Sequence, residues 1–168
     1  MERIVKKFIK HSINGDDVLN ICDKEANLLR TSELKNYSSI DDVLGKYRAC
    51  ILLYDMKKEV GHWSCIFEKY PGVLEFYCPY ALHVDEANEW TDGKPYLSNL
   101  LNNSRYQVYN NDYQLQKYKN DINVCGRYVG ARLMMRHLPL QKFTDLFIKN
   151  KCYDSDFWVT ILTLFCEN

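Results

Sequence analysis

The stretch NDINVCGRYVGARLMMRH, residues 120–137, puts a cysteine and a glycine at the head of an apolar run with helical spacing. The first N–H groups of a helix lack partners within it and carry the positive end of its dipole, so a thiol there ionises more easily. We therefore expect Cys125 to act as a nucleophile. Gly126 would let a substrate carbonyl approach the backbone, where the Cys125 N–H would donate to a developing oxyanion.

A nucleophilic thiol needs a general base, and His62 is the histidine best placed to supply one. It lies in GHW, after a glycine and at the mouth of an apolar strand, where a sheet would hold it rigidly. The indole of Trp63 would wall the site from water. The alternatives are a surface or backbone-bonded histidine, and a Cys125 that serves as a small buried hydrophobe. The remaining histidines lie in charged or polar segments or at a helix end: His11, His83 and His137.

Periodicity predicts the elements that must position these residues. Four short runs rich in Ile, Val, Phe and Tyr predict strands at 49–56, 62–70, 73–80 and 105–113, with a hairpin at Pro71-Gly72. Helical spacing predicts three helices in the last third, at 125–138, 140–147 and 157–165, the last one capped by Asp154 or Ser155. Helices are also expected in the first third. This order predicts an α+β fold, with helices packed on a central mixed or antiparallel sheet.

Composition narrows the class of protein. The 168 residues, 46% of them hydrophobic, suffice for one domain, 1–168, with a buried core. Lys plus Arg and Asp plus Glu number 22 each, so no net field favours nucleic acid or an acidic membrane. No apolar stretch approaches the roughly 18 residues that span a bilayer, and no convincing secretion signal is visible. The seven cysteines include no CxxC pair, so we expect reduced thiols, no metal and a cytoplasmic protein.

Four blocks resemble the adenain-type and SUMO-protease-type cysteine peptidases: GHW before an apolar strand, FYCPYAL after the next strand, the glutamine in QLQ, and NVCGR. Together they cover roughly residues 45–136, and they are most similar to the virus-encoded branch found in virophages, Polinton-like elements and large DNA viruses. The resemblance implies an adenain-like fold with His62 as base and Cys125 as nucleophile. It implies that the side-chain N–H of Gln116 binds the oxyanion; Gln114 is the competing candidate.

The third catalytic position departs from the family pattern. The family shows an acid or amide at the end of the second strand, whereas this sequence has Cys78 there. A thiol orients an imidazole less well than a carboxylate does. We favour a working His–Cys dyad; the alternatives are that Asp85 or Glu86 approaches from the loop, or that activity is reduced. Glu75 is disfavoured because strand alternation points it away from the face of Cys78.

The resemblance implies a cysteine endopeptidase that cleaves viral capsid or other structural precursors at small-residue, glycine-containing sites during virion maturation. It implies a protein substrate, no cofactor, no membrane, a monomer, and a location in the host cytoplasmic viral factory and the virion. Some adenain-type enzymes need a peptide or DNA activator, although the basic clusters here fit solvated faces: Lys6, Lys7 and Lys10; Lys57 and Lys58; Lys117 and Lys119. Removal of ubiquitin-like tags is one alternative, and a catalytically impaired binding protein on the same fold is another.

Overall fold

The computed structural model of the chain describes residues 2–56 and 61–166. Its sheet has five strands in the order β1-β2-β3-β4-β5. They span Asn27–Arg30 (β1), Ala49–Asp55 (β2), Gly61–Tyr70 (β3), Val73–Tyr77 (β4) and Gln107–Asn110 (β5). β2, β3 and β4 run antiparallel, whereas β1 pairs in parallel with β2 and β5 in parallel with β4. The sheet is therefore mixed, and together with the helices it confirms the α+β class.

The helices of the described residues precede and follow the three central strands. They are α1 (Glu2–Ile9), α2 (Gly15–Ile21), α3 (Ile40–Leu44), α4 (Tyr96–Asn102), α5 (Cys125–Met134), α6 (Leu140–Ile148) and α7 (Ser155–Thr163). Short 3-10 turns add Thr31–Asn36, Gly45–Tyr47, Glu86–Trp90 and Leu164–Cys166. Across the described ranges, no helix is long and apolar enough to cross a bilayer.

Each of the four predicted strand runs contains a strand, but two of them end early. β4 stops at Tyr77 rather than at residue 80, because Pro79 has no N–H and the chain turns there, with the Ala81 N–H donating to the Cys78 carbonyl at 2.9 Å. β5 keeps four of the nine predicted residues. α5 begins at Cys125 as predicted, and the Asp154 side chain caps α7 by accepting from the Phe157 N–H at 2.9 Å.

The sheet carries a core on each face. On one face α2, α5, α6 and α7 cover side chains such as Cys65, Phe67 and Tyr77; the other face holds Ile66, Leu74, Phe76 and Cys78. Glu75 lies on the first face, where its carboxylate pairs with the buried guanidinium of Arg132 at 2.7 Å. Strand alternation therefore separates Glu75 from Cys78, as expected.

Gly126 has a packing role that differs from the expected one. A Cβ at this position would lie 2.8 Å from Cγ1 of Ile13 and 2.9 Å from Cγ2 of Val18. One turn later, a Cβ at Gly130 would lie 2.7 Å from the Ile21 side chain. The two glycines thus share one face of α5 and let α2 pack closely against it. The side of Gly126 on which a Cβ would lie is filled by Ile13 and by α2, so packing alone requires a glycine here. The approach of a substrate to its backbone stays a prediction.

Candidate active site

Because β4 ends early, the first residues of β3 have no β4 partner, and Cys125 lies against them. β3 pairs with β4 only from Cys65 onward, opposite Tyr77, so the first residues of β3 extend beyond that neighbour in the described sheet. The first residue of α5 lies against this extension, and the backbone N–H groups of Trp63, Gly126 and Cys125 itself interact with the Cys125 thiol. The thiol is therefore held among backbone donors at the start of a helix that is otherwise buried.

Cys125 and His62 open into the same pocket, whose volume is about 370 Å³. Gln116 also lines it, and a group of aromatic side chains forms much of the wall: Tyr80, Trp90 and Tyr118. Cys125 is partly exposed there, whereas His62 is only 3% exposed and Gln116 only 1%. The structure thus brings three of the residues singled out from the sequence to one small cavity.

The imidazole of His62 is fixed by aromatic rings and by a thiol. It stacks on the Tyr80 ring with centroids 4.9 Å apart and meets the edge of Trp90 at 5.6 Å. Its Nε2 atom lies 3.1 Å from Sγ of Cys78. Burial lowers the pKa of His62 to about 3, so the imidazole is neutral at neutral pH.

The titration of Cys125 runs against the expectation from the helix start. Burial raises the pKa of the Cys125 thiol, although the surrounding N–H groups act to lower it. The cost of desolvating a thiolate outweighs the effect of the backbone donors on this pKa. With a neutral thiol and a neutral imidazole lining the same pocket, the pair is not a preformed thiolate–imidazolium. His62 would have to accept the proton as the sulfur attacks, which is general-base catalysis.

Cys78 takes the position of the third catalytic residue but cannot fix the tautomer of His62. Burial raises its pKa to about 12, although the N–H groups of Tyr80 and Leu82 interact with its sulfur and lower it. A neutral thiol can accept a hydrogen bond from Nε2–H or donate one to a bare Nε2. Only the first tautomer leaves Nδ1 without a hydrogen and able to act as a base. A carboxylate, which only accepts, would select that tautomer.

The two loop acids considered as substitutes serve local structure instead. The Asp85 carboxylate accepts from the backbone N–H of Ser98 at 2.6 Å and of Leu97 at 3.3 Å, in the first turn of α4. The Glu86 carboxylate accepts from the His83 N–H at 2.8 Å. The side chain that contacts Nε2 of His62 is therefore the Cys78 thiol rather than either loop acid, and the working dyad stays a prediction.

Gln116 reaches the pocket, but both of its amide hydrogens are directed at protein acceptors. Nε2 donates to the Tyr80 hydroxyl at 2.9 Å and to the Ile122 carbonyl at 3.2 Å. Turning the amide over would set Oε1 against the Ile122 carbonyl, so this contact fixes the orientation. Oε1 is buried and has no hydrogen-bond partner among the residues that the structure describes. Gln114, the competing candidate, is exposed and donates to the Gln116 carbonyl at 2.8 Å.

The comparisons with known proteins give one relative of nearly equal length. The chain is 32% identical over 173 residues to the uncharacterized protein V9 of the Sputnik virophage, covering 95% of this chain and 98% of V9. The chain belongs to the V9 family. The expected virus-encoded, virophage-type origin is thereby supported, whereas no family model matches the chain.

One solved structure is similar to this V9-family chain at a low level. It is the central domain of the uncharacterized Lpg1148 protein from Legionella pneumophila, with a TM-score of 0.46 and 14% identity. The alignment covers 92% of this chain and 97% of the domain. A similarity at this level does not assign the fold to a family.

Trp63 does not form the wall that the sequence indicated. Neighbouring residues of a strand face opposite sides, so its indole points away from the face of His62. It lines an adjoining groove with Leu28 and Leu53 and packs in the core beneath α2 and α5. The rings beside the imidazole are those of Tyr80 and Trp90. Their loop positions gave no periodic signal from which this contact could be read.

Asn111 is a second residue that sequence reasoning missed. Its Oδ1 accepts from the Cys78 N–H at 2.9 Å, and its Nδ2 donates to the Cys78 carbonyl at 2.7 Å. These two bonds fix the backbone that presents the thiol to His62. The residues lie 33 positions apart in the chain, and only the parallel pairing of β4 with β5 brings them together.

Lys119, a member of one basic cluster, lines the pocket with His62 and Cys125. Among the described residues no group of three or more His, Cys, Asp or Glu side chains could hold a metal ion. Lysines of the basic clusters are paired with acids at the surface: Lys6 with Glu2, Lys10 with Asp121 and Lys117 with Asp154. Lys57 and Lys58 lie outside the described residues.

Proposed function

We propose that this V9-family protein is a cysteine endopeptidase with Cys125 as nucleophile and His62 as general base. The observation that carries the proposal is that a thiol surrounded by backbone N–H groups and a neutral imidazole open into one pocket. General-base activation of a thiol needs a neutral imidazole, and burial keeps His62 in that form. The resemblance of the GHW and NVCGR segments to adenain-type peptidases supports the same pair.

The reaction would proceed through an acyl-enzyme. Nδ1 of His62 takes the proton as Sγ of Cys125 attacks the peptide carbonyl, and the oxyanion forms beside the Cys125 N–H. The imidazolium then gives its proton to the leaving amine. Water, deprotonated by His62, hydrolyses the thioester and restores the thiol. These steps need no metal or organic cofactor.

The substrate we propose is a viral capsid or structural precursor, cleaved at small-residue sites during virion maturation. The rings of Tyr80, Trp90 and Tyr118 line the pocket with Cys125. The resemblance to adenain-type peptidases implies a narrow cleft there that accepts small residues. Kinship with a virophage protein supports a viral substrate, in the cytoplasmic viral factory and the virion. An adenain-like fold and a peptide or DNA activator belong to this proposal; the paired surface lysines weigh against DNA.

A second candidate function is a catalytically impaired binding protein on the same fold. It is favoured by the thiol at Cys78, which leaves the tautomer of His62 open, and by the raised pKa of Cys125. In such a protein the pocket would bind a glycine-containing peptide without cleaving it.

Digestion of a glycine-rich peptide library by three forms of the protein separates the two candidates. We expect the wild type to cleave after small residues and Cys125→Ser to lose cleavage. The matched control is Cys152→Ser, which removes an exposed thiol outside the pocket and should cleave like the wild type. Binding of the peptides without cleavage by any form would favour the impaired binding protein.

A further inference from the structure

The Tyr80 hydroxyl is a potential hydrogen-bond donor in the pocket that Cys125 lines. The oxygen accepts a hydrogen from Nε2 of Gln116 at 2.9 Å. A tyrosine hydroxyl also carries one hydrogen of its own, which it can donate in another direction. The residue lines the pocket, and it is close enough to Cys125 for a thiolate there to raise the pKa of the phenol further above the effect of burial. The phenol therefore stays protonated and able to donate.

Gln116 cannot be the direct donor that the resemblance implies while its hydrogens point at Tyr80 and Ile122. We infer that Tyr80 is a catalytic residue whose hydroxyl donates a hydrogen bond to the substrate oxygen that becomes negative when Cys125 attacks. Gln116 is the positioning residue that orients this hydroxyl. The inference rests on the proposed function. The hydrogen stays on the phenol throughout, so the proton balance of the reaction is unchanged.

One turn fixes the position of the Tyr80 side chain relative to Gln116. The Pro79 carbonyl accepts from the N–H groups of Leu115 and Gln116, both at 3.1 Å, which ties the segment before Tyr80 to the glutamine loop. The Tyr80 ring in turn stacks on His62. A donor that must meet a developing charge needs such fixed neighbours, because the stabilisation depends on its orientation before the reaction starts.

The test compares Tyr80→Phe with the wild type in two reactions of Cys125. The substitution keeps the ring on His62 and removes only the hydroxyl. Peptide turnover forms an oxyanion, and we expect kcat to fall by about 10²–10³, the usual effect of removing one oxyanion donor. Alkylation by iodoacetamide forms no oxyanion, so its rate at Cys125 should be unchanged. Tyr113→Phe removes an exposed hydroxyl away from the pocket and should leave both rates unchanged.

Two results would overturn this role for Tyr80. One is full turnover by Tyr80→Phe; the other is an equal loss of turnover and alkylation, which would indicate that Tyr80 acts only by holding His62. A second variant, Gln116→Glu, replaces the donor by an acceptor that draws the Tyr80 hydrogen away from the pocket. Its loss should match that of Tyr80→Phe and should not add to it in the double variant; additive losses would contradict the pairing.

The failure of the proposed function would have a different signature. If wild-type Cys125 were alkylated no faster than in His62→Ala, the His–Cys pair would be excluded, and the role of Tyr80 with it. Thermal unfolding midpoints of all variants identify any loss that comes from misfolding. A normal midpoint with normal alkylation and reduced turnover is the combination that only the oxyanion role predicts.

Discussion

Two buried polar groups on opposite sides of β4 are satisfied to different degrees. On the side of α5, the Glu75 carboxylate accepts hydrogen bonds from Nε of Arg132 at 2.7 Å and from a terminal nitrogen of Arg132 at 2.8 Å. It also accepts one from the Tyr109 hydroxyl at 2.7 Å. On the other side, just past the end of the strand, Cys78 meets a neutral His62. There Gln116 keeps a buried oxygen without a partner in the described structure.

This difference separates a structural ion pair from the candidate active site. Buried charges are tolerated when each partner satisfies the other, as in the Glu75–Arg132 pair. Incompletely paired groups such as Oε1 of Gln116 reduce stability unless another molecule completes them. The contrast teaches that a buried ion pair fixes one end of α5 on the sheet, whereas the pocket at the other end, where Cys125 lies, contains a neutral imidazole and a neutral thiol.

The largest expected effect is on the structural side. Arg132→Met would leave the Glu75 carboxylate buried without its partner, and we expect the free energy of unfolding to fall by about 3–5 kcal/mol. Denaturant unfolding measures it. Arg136→Met, which breaks a more exposed pair with Glu25, should cost at most about 1 kcal/mol. Equal losses from both variants would contradict the assignment of the buried network.

The next effect is an acid sensitivity that comes from the site. His62 has a native pKa of about 3, whereas an unfolded histidine has about 6.5. Below about pH 6.5 the unfolded chain therefore binds a proton at this histidine and the native state does not. The free energy of unfolding should fall by roughly 1.4 kcal/mol per pH unit toward pH 3. His62→Gln should lack this loss, measured as denaturant unfolding between pH 7 and 4.

Asp156 titrates in the same pH range as the effect expected from His62, so the wild type alone cannot isolate His62 and the comparison with His62→Gln is needed. Burial raises its pKa to about 6, so its contribution has the opposite sign: it is present in acid and lost as the pH rises through about 6. Because both variants keep Asp156, the difference between their pH curves isolates His62. Parallel curves for wild type and His62→Gln would show that the imidazole is not buried in its neutral form.

The smallest expected effect concerns the tautomer. Cys78→Asp would place an acceptor beside Nε2 and select the tautomer whose Nδ1 can take the Cys125 proton. We expect peptide turnover near neutral pH to rise by about tenfold, well below the roughly 10⁴ lost when a serine-protease triad loses its carboxylate. Cys78→Ser, which again can donate or accept, is the matched control and should stay near the wild type. A fall in turnover in Cys78→Asp would show that the thiol already fixes the ring.

The sequence predicted the elements better than the contacts between them. The start of α5 and the cap at Asp154 follow from local patterns, so they could be read without the fold. β1 was missed because NLLR is too short to show alternation. The packing role of Gly126 was missed because a glycine reveals that space is needed but not which neighbours, here Ile13 and α2, take it.

The candidate site also combines features that follow from local sequence with features that depend on the folded chain. The meeting of His62 and Cys125 in one pocket could be predicted because their residue types and motifs are typical of a thiol and its base. The raised pKa of the Cys125 thiol could not, since it depends on how completely the pocket excludes water. The Gln116–Tyr80 bond and the clamp of Asn111 on Cys78 join segments that lie 36 and 33 positions apart, so only the folded chain reveals them.

The most direct measurement is labelling of the wild type with a Gly-Gly peptide that carries a C-terminal vinyl sulfone, followed by mass-spectrometric mapping of the adduct among the seven cysteines. A peptide-directed nucleophile assisted by His62 predicts an adduct at Cys125 that is lost in His62→Ala, with little label at the exposed Cys152. Labelling of Cys152 in preference to Cys125, or labelling of Cys125 that is indifferent to His62, would contradict a cysteine peptidase.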